Sequence, residues 1–239
     1  MKDMKVFIDG LKELELELNE DQIQQFYDYY ELLVEWNKVM NLTAITEFED
    51  ELKKHFVDSL SLVKVIKLDG QSKVIDLGTG AGIPGITLKF AFPEVEIVLL
   101  DALNKRITFL NEVIEKLGLK SISAYHGRAE DFGVNKAYRG SFDLCVSRAV
   151  ANLSTLSEYC MPFVKIGGSF ISYKSGKIEE ELENSVKAIK LFGGKLNQVS
   201  SFTLPGSDIE RTLVVIDKVK ETPNAYPRAA GKPAKEPII

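Results

Sequence analysis

The sequence predicts an α/β protein with a seven-stranded, mostly parallel sheet that follows an N-terminal helical extension. Apolar residues recur at helical spacing up to about residue 65, whereas short apolar runs alternate with helical segments from residue 73 onward. A glycine-rich turn joins the first strand to the next helix, as in doubly wound sheets. These observations together predict the fold class.

The helical extension, residues 1–70, contains two predicted helices. From Asp21 to Met40, apolar residues recur largely at spacings of three and four. A second helix is expected from about Glu47 to Val65, and the link 41–46 can supply its N-cap. Residues 69–72 read as a turn that ends the extension.

Residues 71–219 are expected to form the sheet domain. Predicted strands cover 73–77, 95–100, 121–125, 142–147, 169–173, 195–203 and 212–218, and predicted helices cover 84–92, 105–117, 153–163 and 178–192. This alternation implies right-handed crossovers and a largely parallel sheet covered on both faces. Only residues 204–211 separate the last two strands, which are therefore expected to pair antiparallel.

The C-terminal tail, residues 220–239, has a different composition. It carries four prolines and is expected to be extended or disordered. Residues 218–239 hold five basic and two acidic residues, whereas residues 1–31 hold nine acidic and three basic residues. A basic tail on a chain of net charge −5 leaves room for a local phosphate-binding surface, although composition alone favours a solvated, frayed terminus.

Composition limits the class of protein. The 239 residues are 45% hydrophobic and 27% charged, as in ordinary soluble globular proteins. No run approaches the roughly 18 apolar residues of a membrane span, and no secretory signal follows Met1. Cys145 and Cys160 lie among apolar neighbours, as buried thiols do in a reducing compartment. We expect a soluble, cytoplasmic, monomeric protein without membrane association.

The glycine-rich turn is the motif that carries chemistry. The first strand ends in Val74-Ile75-Asp76-Leu77-Gly78-Thr79-Gly80-Ala81-Gly82-Ile83-Pro84-Gly85. Glycines at 78, 80 and 82 allow a tight turn and the close approach of a ligand, and Pro84 suits the first turn of the next helix. In such sheets ligands bind at this turn, beside the carboxyl ends of the strands.

Residues around the turn help to choose between two cofactor classes. The GxGxxG spacing alone does not distinguish NAD from S-adenosylmethionine, and Asp101, about 20 residues later, can hold ribose hydroxyls of either. Asp76 favours S-adenosylmethionine because it can reach a ligand ammonium, or water bound to it, but would repel a pyrophosphate. Small and acidic residues at 127–131 suit an adenine, and no substrate domain for hydride transfer follows. An NAD-dependent oxidoreductase stays the alternative enzyme.

Motifs along nearly the whole chain carry a family resemblance. They are Trp36-Asn37, Asn41-Leu42-Thr43-Ala44-Ile45, His55-Phe56-Val57-Asp58-Ser59-Leu60, Asp101-Ala102-Leu103-Asn104-Lys105-Arg106, Gly127-Arg128-Ala129-Glu130, Ser147-Arg148-Ala149-Val150-Ala151, Tyr226-Pro227-Arg228 and Gly231-Lys232-Pro233-Ala234-Lys235. With them the sequence closely resembles the bacterial small-subunit rRNA guanine-N7 methyltransferase family, also called glucose-inhibited division protein B. The glycine turn is generic to methyltransferases, whereas the helical motifs and the tail are specific to this family.

The resemblance implies a Rossmann-like class I methyltransferase that uses S-adenosylmethionine to methylate N7 of a guanine in the 530-region loop of 16S rRNA. It implies cofactor contacts at Gly78, Ile83, Ala129, Glu130 and Arg148. The residues themselves add Asp76, Gly80, Gly82 and Asp101 as candidate cofactor contacts. Many relatives carry Phe at the position of Ile83, and the tail has two alanines, 229 and 230, where a base and a proline are common.

Guanine N7 has an in-plane lone pair and no proton, so it can attack a methyl group directly without a general base. We therefore expect no catalytic dyad, and catalysis by positioning. Guanine N1 and N2 are donors while O6 is an acceptor, so Asn41 or Asp58 could hold the donor edge. His55 could stack on the base or bond to it, or it could be structural. No Cys/His cluster has the spacing of a metal site.

Basic residues follow or end several predicted strands. Lys105, Arg106, Arg128 and Lys174 are therefore expected on the cofactor edge of the sheet, where they could contact RNA phosphates, and Arg228 of the tail could join them. Each could instead be an ordinary surface charge. The partner expected is 16S rRNA, the small ribosomal subunit or an assembly intermediate. A ribosome-assembly factor that grips RNA without catalysis stays the non-enzyme alternative.

Overall fold

Seven strands form one sheet in the computed structural model, which describes residues 2–43 and 47–239. They are β1 (Lys73–Leu77), β2 (Glu96–Asp101), β3 (Ile122–His126), β4 (Phe142–Arg148), β5 (Val164–Ser175), β6 (Gly194–Thr203) and β7 (Glu210–Lys218). Their order is β3-β2-β1-β4-β5-β7-β6. The first five strands are parallel and β7 is antiparallel to both neighbours. The predicted mostly parallel sheet with an antiparallel last pair is confirmed.

Helices cover both faces of this sheet. They are α5 (Gly85–Ala91), α6 (Asn104–Lys116), α7 (Ala129–Val134), α8 (Leu153–Cys160) and α9 (Glu179–Leu191), with a 3₁₀ turn at Met161–Phe163. The sequence did not predict α7, because six residues are too short for an apolar face to repeat. Two apolar clusters lie on opposite faces of the sheet, and the cluster that contains Ile75 also buries the free thiols of Cys145 and Cys160.

The N-terminal extension begins with α1 (Lys5–Glu13), which was not predicted, and α2 (Glu20–Met40). Asn19 caps α2 in a reciprocal capping box with Gln22. The single helix expected next is a succession of α3 (Phe48–Glu51), a π-helix (Leu52–Val57), α4 (Asp58–Leu60) and a 3₁₀ turn (Ser61–Lys64). Glu47 precedes α3 without a side-chain cap, and residues 44–46 of the predicted capping link lie outside the described residues.

The extension shares one core with the sheet. The Phe26 ring centroid lies 5.2 Å from that of Phe56 and 5.0 Å from that of Phe90 on α5. Tyr29 of α2 is fully buried, and its hydroxyl donates a 2.5 Å hydrogen bond to the carbonyl of Ala81. Through this hydrogen bond the N-terminal extension helps to hold the glycine turn in place. In the described part of the chain, no helix is long and apolar enough to cross a membrane.

The tail is ordered against α7 and α8, so the prediction of an extended or disordered segment was wrong. Arg228 donates to both oxygens of Glu158, and the Thr155 hydroxyl donates to the carbonyl of Pro233. The tail ends near α10 (Lys232–Lys235). Proline content predicts the loss of regular backbone bonds, but here side chains of the sheet domain satisfy the tail's polar groups.

Candidate active site

Two cavities adjoin at the carboxyl ends of the parallel strands. The first, about 520 Å³, is called the turn cavity and is lined among others by Gly78, Thr79, Gly80, Ile83, Asp101 and Leu103. The second, about 530 Å³, is called the arginine cavity and is lined among others by Asp58, Asn152, Tyr173, Lys174, Glu181 and Arg211. Three residues line both, namely His55, Arg148 and Ala149. Each volume is typical of a small-molecule site.

Gly80 gives the turn cavity its open side. Its φ is +63°, and a Cβ built on it would meet only the Gly78 carbonyl, at 4.0 Å. Asp101 at the end of β2 is 3% exposed and accepts a 2.9 Å hydrogen bond from the Gly80 amide. The turn is thereby drawn toward β2, with one bare backbone face toward the cavity. At Gly82, by contrast, a Cβ would be directed away from the cavity and would clash with the side chain of Ile86.

Asp76 lies beneath the turn and not in the cavity lining. Its Oδ2 accepts hydrogen bonds from the Thr79 hydroxyl at 2.6 Å and the Gly85 amide at 2.8 Å. Its Oδ1 is buried and has no hydrogen-bond partner within residues 2–43 and 47–239. Burial raises the pKa of Asp76 to about 6. The carboxylate thus braces the turn, and the contact with a ligand ammonium stays a prediction.

Asp101 also anchors the next segment of the rim. Its Oδ1 accepts from the Leu103 amide at 2.9 Å, and Arg106 donates to Oδ2 at 3.1 Å. Leu103 is 45% exposed and offers an apolar surface to the cavity. The guanidinium of Arg106 is thus paired with Asp101 at the rim of the turn cavity, and its contact with a phosphate stays a prediction.

Arg148, at the end of β4, joins the two cavities. One guanidinium nitrogen donates to the Lys54 carbonyl at 2.9 Å and to Asp58 Oδ2 at 2.8 Å. The other Asp58 oxygen accepts from Arg211 Nε at 2.8 Å. Two arginines therefore engage the carboxylate that was predicted to hold a guanine. The sequence missed Arg211 because β7 lies 153 residues from Asp58 and no motif surrounds it.

His55 contacts groups of both hydrogen-bonding kinds. Nδ1 lies 2.7 Å from a guanidinium nitrogen of Arg148, which can only donate, and 3.1 Å from the carbonyl of Lys54, which can only accept. Nε2 lies 3.1 Å from the Thr43 hydroxyl. Burial, and secondarily Arg148, lowers the pKa of His55 to about 3. His55 is therefore neutral near pH 7 and a weak base. It lies on the π-helix, a feature frequent at functional sites.

Other candidates lie apart from the cavities. Asn41 is exposed at the end of α2, with a left-handed φ of +47°. Ala129 and Glu130 begin α7 beyond β3 and do not line either cavity, and the Glu130 carboxylate accepts a 2.7 Å bond from the Gly231 amide. Glu130 therefore uses its side chain to hold the tail. Its predicted cofactor contact stays a prediction.

Some of the basic residues predicted for the rim are exposed, whereas others are paired with carboxylates. Lys105 and Arg128 are exposed. Lys174 is paired with Glu181 at 2.6 Å with only 12% of its side chain exposed, and Arg228 is paired with buried Glu158 at 2.6 Å. The charges of Lys174 and Arg228 are thus neutralised within the protein, unlike those of free surface bases. Across the described ranges, no group of three His, Cys, Asp or Glu could hold a metal ion.

Sequence comparisons relate the chain to a known family of proteins. A family model described as rRNA small subunit methyltransferase G matches residues 22–214. The chain is 55% identical over 239 residues to the Ribosomal RNA small subunit methyltransferase G of Lachnoclostridium phytofermentans, covering 100% of this chain and 99% of the relative. It is 50% identical over 238 residues to the protein of that name from Acetivibrio thermocellus, covering 100% and 98%.

Solved structures are similar in fold. A SAM-dependent methyltransferase from Aquifex aeolicus has a TM-score of 0.52 at 16% identity, covering 70% of this chain and 93% of that one. The precorrin-6y C5,15-methyltransferase of Geobacter metallireducens has a TM-score of 0.50 at 13% identity, covering 69% and 88%. At such identities the likeness concerns the fold alone, and it confirms the predicted Rossmann-like class I methyltransferase fold.

Proposed function

The chain belongs to the rRNA small subunit methyltransferase G family, and from this membership we propose that it transfers a methyl group from S-adenosylmethionine to N7 of a guanine in the 530-region loop of 16S rRNA. The observation that carries this proposal is the pair of adjoining cavities, which share His55, Arg148 and Ala149. A cofactor in the turn cavity and a base in the arginine cavity would meet at this shared wall.

The turn cavity fits S-adenosylmethionine. The bare face at Gly80 admits close backbone approach, and Asp101 lies at the strand end where a ribose diol would be held. The exposed side chain of Leu103 suits the face of an adenine. When bound, this cofactor supplies a methyl group on a positively charged sulfur. The predicted contacts of Ala129 and Glu130 would place the adenine toward β3.

Methylation at N7 requires little acid–base catalysis by the protein. The N7 lone pair forms the new bond to the methyl carbon while the carbon–sulfur bond breaks and its electron pair stays on sulfur. No proton is removed, which agrees with a His55 whose lowered pKa, about 3, makes it a weak base. The chain's contribution is then positioning, with Arg148 held by Asp58 and Lys54 as a fixed wall between the two ligands.

Exposed basic side chains would attract the RNA to this edge of the sheet. Lys105 and Arg128 follow β2 and β3, so both lie at the carboxyl ends of parallel strands beside the turn cavity. Contacts from these residues to phosphates would orient the RNA without reading its sequence.

Labelled methyl transfer tests this function. Small subunits and naked 16S rRNA from a strain without this protein are incubated with it and S-adenosylmethionine, and the methylated position is mapped. We expect one labelled guanine in the 530-region loop, and no label when that guanine is replaced by 7-deazaguanine. Label at another atom would contradict the N7 assignment. Tight RNA binding without label would favour an assembly factor, and a thermal shift with NADH but not S-adenosylhomocysteine would favour an oxidoreductase.

A further inference from the structure

Glu181 and Lys174 form an ion pair in the wall of the arginine cavity. Lys174, near the end of β5, donates to Glu181 Oε1 at 2.6 Å and to the Ala151 carbonyl at 2.9 Å. Two of its three ammonium hydrogens are thereby used, and one stays available. The Leu153 amide also donates to Glu181 Oε1. In the described residues Oε2 of Glu181 accepts no hydrogen bond, and 29% of the side chain is exposed.

The other carboxylate in this cavity is buried and paired with two arginines. Asp58 is 2% exposed, and its two oxygens accept from Arg148 and Arg211. Each oxygen keeps a further acceptor site, but because Asp58 is buried a base would have to compete with the two arginines to reach it. Oε2 of Glu181 meets no such competition, because Lys174 and the Leu153 amide both bond to Oε1, and Glu181 lines the arginine cavity.

We propose that Glu181 is the residue that recognises guanine in the arginine cavity, accepting hydrogen bonds from N1–H and N2–H while Lys174 donates to O6. This inference rests on the proposed function. Guanine presents an acceptor, O6, directly beside the donors N1–H and N2–H, and the ion pair presents a donor directly beside an acceptor. Adenine has the opposite order on that edge, with an N6 donor beside an N1 that bears no hydrogen, so the same pair disfavours it.

This arrangement leaves N7 free. On the purine ring O6 lies between N1 and N7, so a base held by N1, N2 and O6 turns N7 away from Glu181. The shared wall of His55, Arg148 and Ala149 borders both cavities, and N7 directed there would meet the methyl group. The positive charge that the base gains on methylation would also lie near the carboxylate of Glu181.

The test changes one hydrogen-bonding group on the RNA and one on the protein. Small-subunit RNA is prepared with guanosine or inosine at the target position, since inosine keeps N7, O6 and N1–H but lacks the N2 amino group. We measure kcat/KM for both RNAs with the wild type, Glu181→Gln and Glu180→Gln. Glu180 is an exposed neighbour on α9 outside the arginine cavity, so it is the matched control. S-adenosylhomocysteine affinity and the melting temperature are measured for each protein.

The wild type and Glu180→Gln are expected to prefer guanosine over inosine by about tenfold or more, in the range of a bidentate base contact. Glu181→Gln should reduce this preference to about threefold or less while it keeps its affinity for S-adenosylhomocysteine. A Glu181→Gln protein with the wild-type preference would overturn the proposal and leave the methyltransferase function intact. Equal use of inosine and guanosine by the wild type would overturn it without any variant. A wild type that methylates neither RNA would instead refute the proposed function, and this inference with it.

Discussion

Asp58 and Arg148 form a 2.8 Å ion pair that ties the N-terminal extension to the end of β4. The side chains are 3% and 16% exposed, and Arg211 of β7 binds the second carboxylate oxygen at 2.8 Å. One carboxylate therefore joins three elements distant in sequence. Because both arginines stay charged, its removal leaves two partly buried cations without this counterion.

Asp58→Ala should lower the free energy of unfolding by about 3–5 kcal/mol, the cost of breaking a buried pair. The matched control is Asp9→Ala, which breaks the exposed pair with Lys12 and should cost about 0–1 kcal/mol. Urea unfolding measures both. Equal costs for the two variants would show that the Asp58 cluster contributes nothing beyond a surface pair.

Gly80→Val should abolish binding of S-adenosylhomocysteine, because the side chain would occupy the open face of the turn cavity. Gly118→Val is the control, since Gly118 has nearly the same φ, +61°, and a Cβ there would meet nothing within 4 Å. Both variants should lose similar stability through backbone strain. Calorimetry should show wild-type affinity only for Gly118→Val. A folded Gly80→Val protein that binds normally would refute the assignment of the turn.

The sequence predicted the sheet well because its buried strands are apolar runs, as in β1. The prediction started β5 at residue 169, whereas the strand begins at Val164, since residues 165–167 are exposed and the first half includes two glycines. The glycine turn and Asp101 were predictable because local backbone chemistry requires them. Arg211 was not, because only the fold brings it to Asp58. Nor does sequence show that Glu181 neutralises Lys174, since pairing of charges depends on side-chain positions in three dimensions.

Glu51→Gln should stabilise the protein, increasingly so as the pH rises. Glu51 is 2% exposed, its carboxyl oxygens have no hydrogen-bond partner in the described part of the chain, and burial raises its pKa to about 8. Below about pH 4.5 the group is protonated in the folded and the unfolded protein, so folding incurs no penalty. Above that pH only the unfolded chain ionises readily, and stability is lost up to about pH 8.

Thermal unfolding at several pH values tests the role of Glu51. The melting temperature of Glu51→Gln should match that of the wild type near pH 4.5 and exceed it at pH 8. The corresponding gain in the free energy of unfolding at pH 8 is on the order of 1–3 kcal/mol. Glu49→Gln, at an exposed position of the same helix, is the control and should follow the wild type throughout. A pH-independent difference for Glu51→Gln would contradict the ionisation argument.

Arg228→Ala should destabilise the protein and leave RNA affinity nearly unchanged. Its guanidinium is bound to Glu158, which is 1% exposed, so the variant leaves a buried carboxylate without its cation, at a cost of about 3–5 kcal/mol. Lys232→Ala in the same tail loses only a loose, exposed pair with Glu236. Urea unfolding should separate the two variants. Unchanged stability together with weaker RNA binding would restore the role first expected for Arg228.

The double variant Lys105→Ala with Arg128→Ala should weaken RNA binding but not S-adenosylhomocysteine binding. Both residues are exposed at the cofactor edge, whereas Arg106 and Lys174 are engaged with Asp101 and Glu181. If each exposed base contacts one phosphate, the log–log salt slope of binding should fall by roughly 1.4–1.8 in the double variant, at about 0.7–0.9 per contact.

The control for this last prediction is Lys67→Ala with Lys136→Ala. These exposed lysines precede β1 and β4, so they lie at the amino ends of the strands, on the far edge of the sheet. The change in net charge is identical, and a purely long-range effect of charge would weaken RNA binding equally in both proteins. Binding is measured at several salt concentrations. A wild-type slope for the Lys105 and Arg128 variant would exclude phosphate contacts there, whereas a loss confined to it locates the RNA on the edge where the two cavities meet.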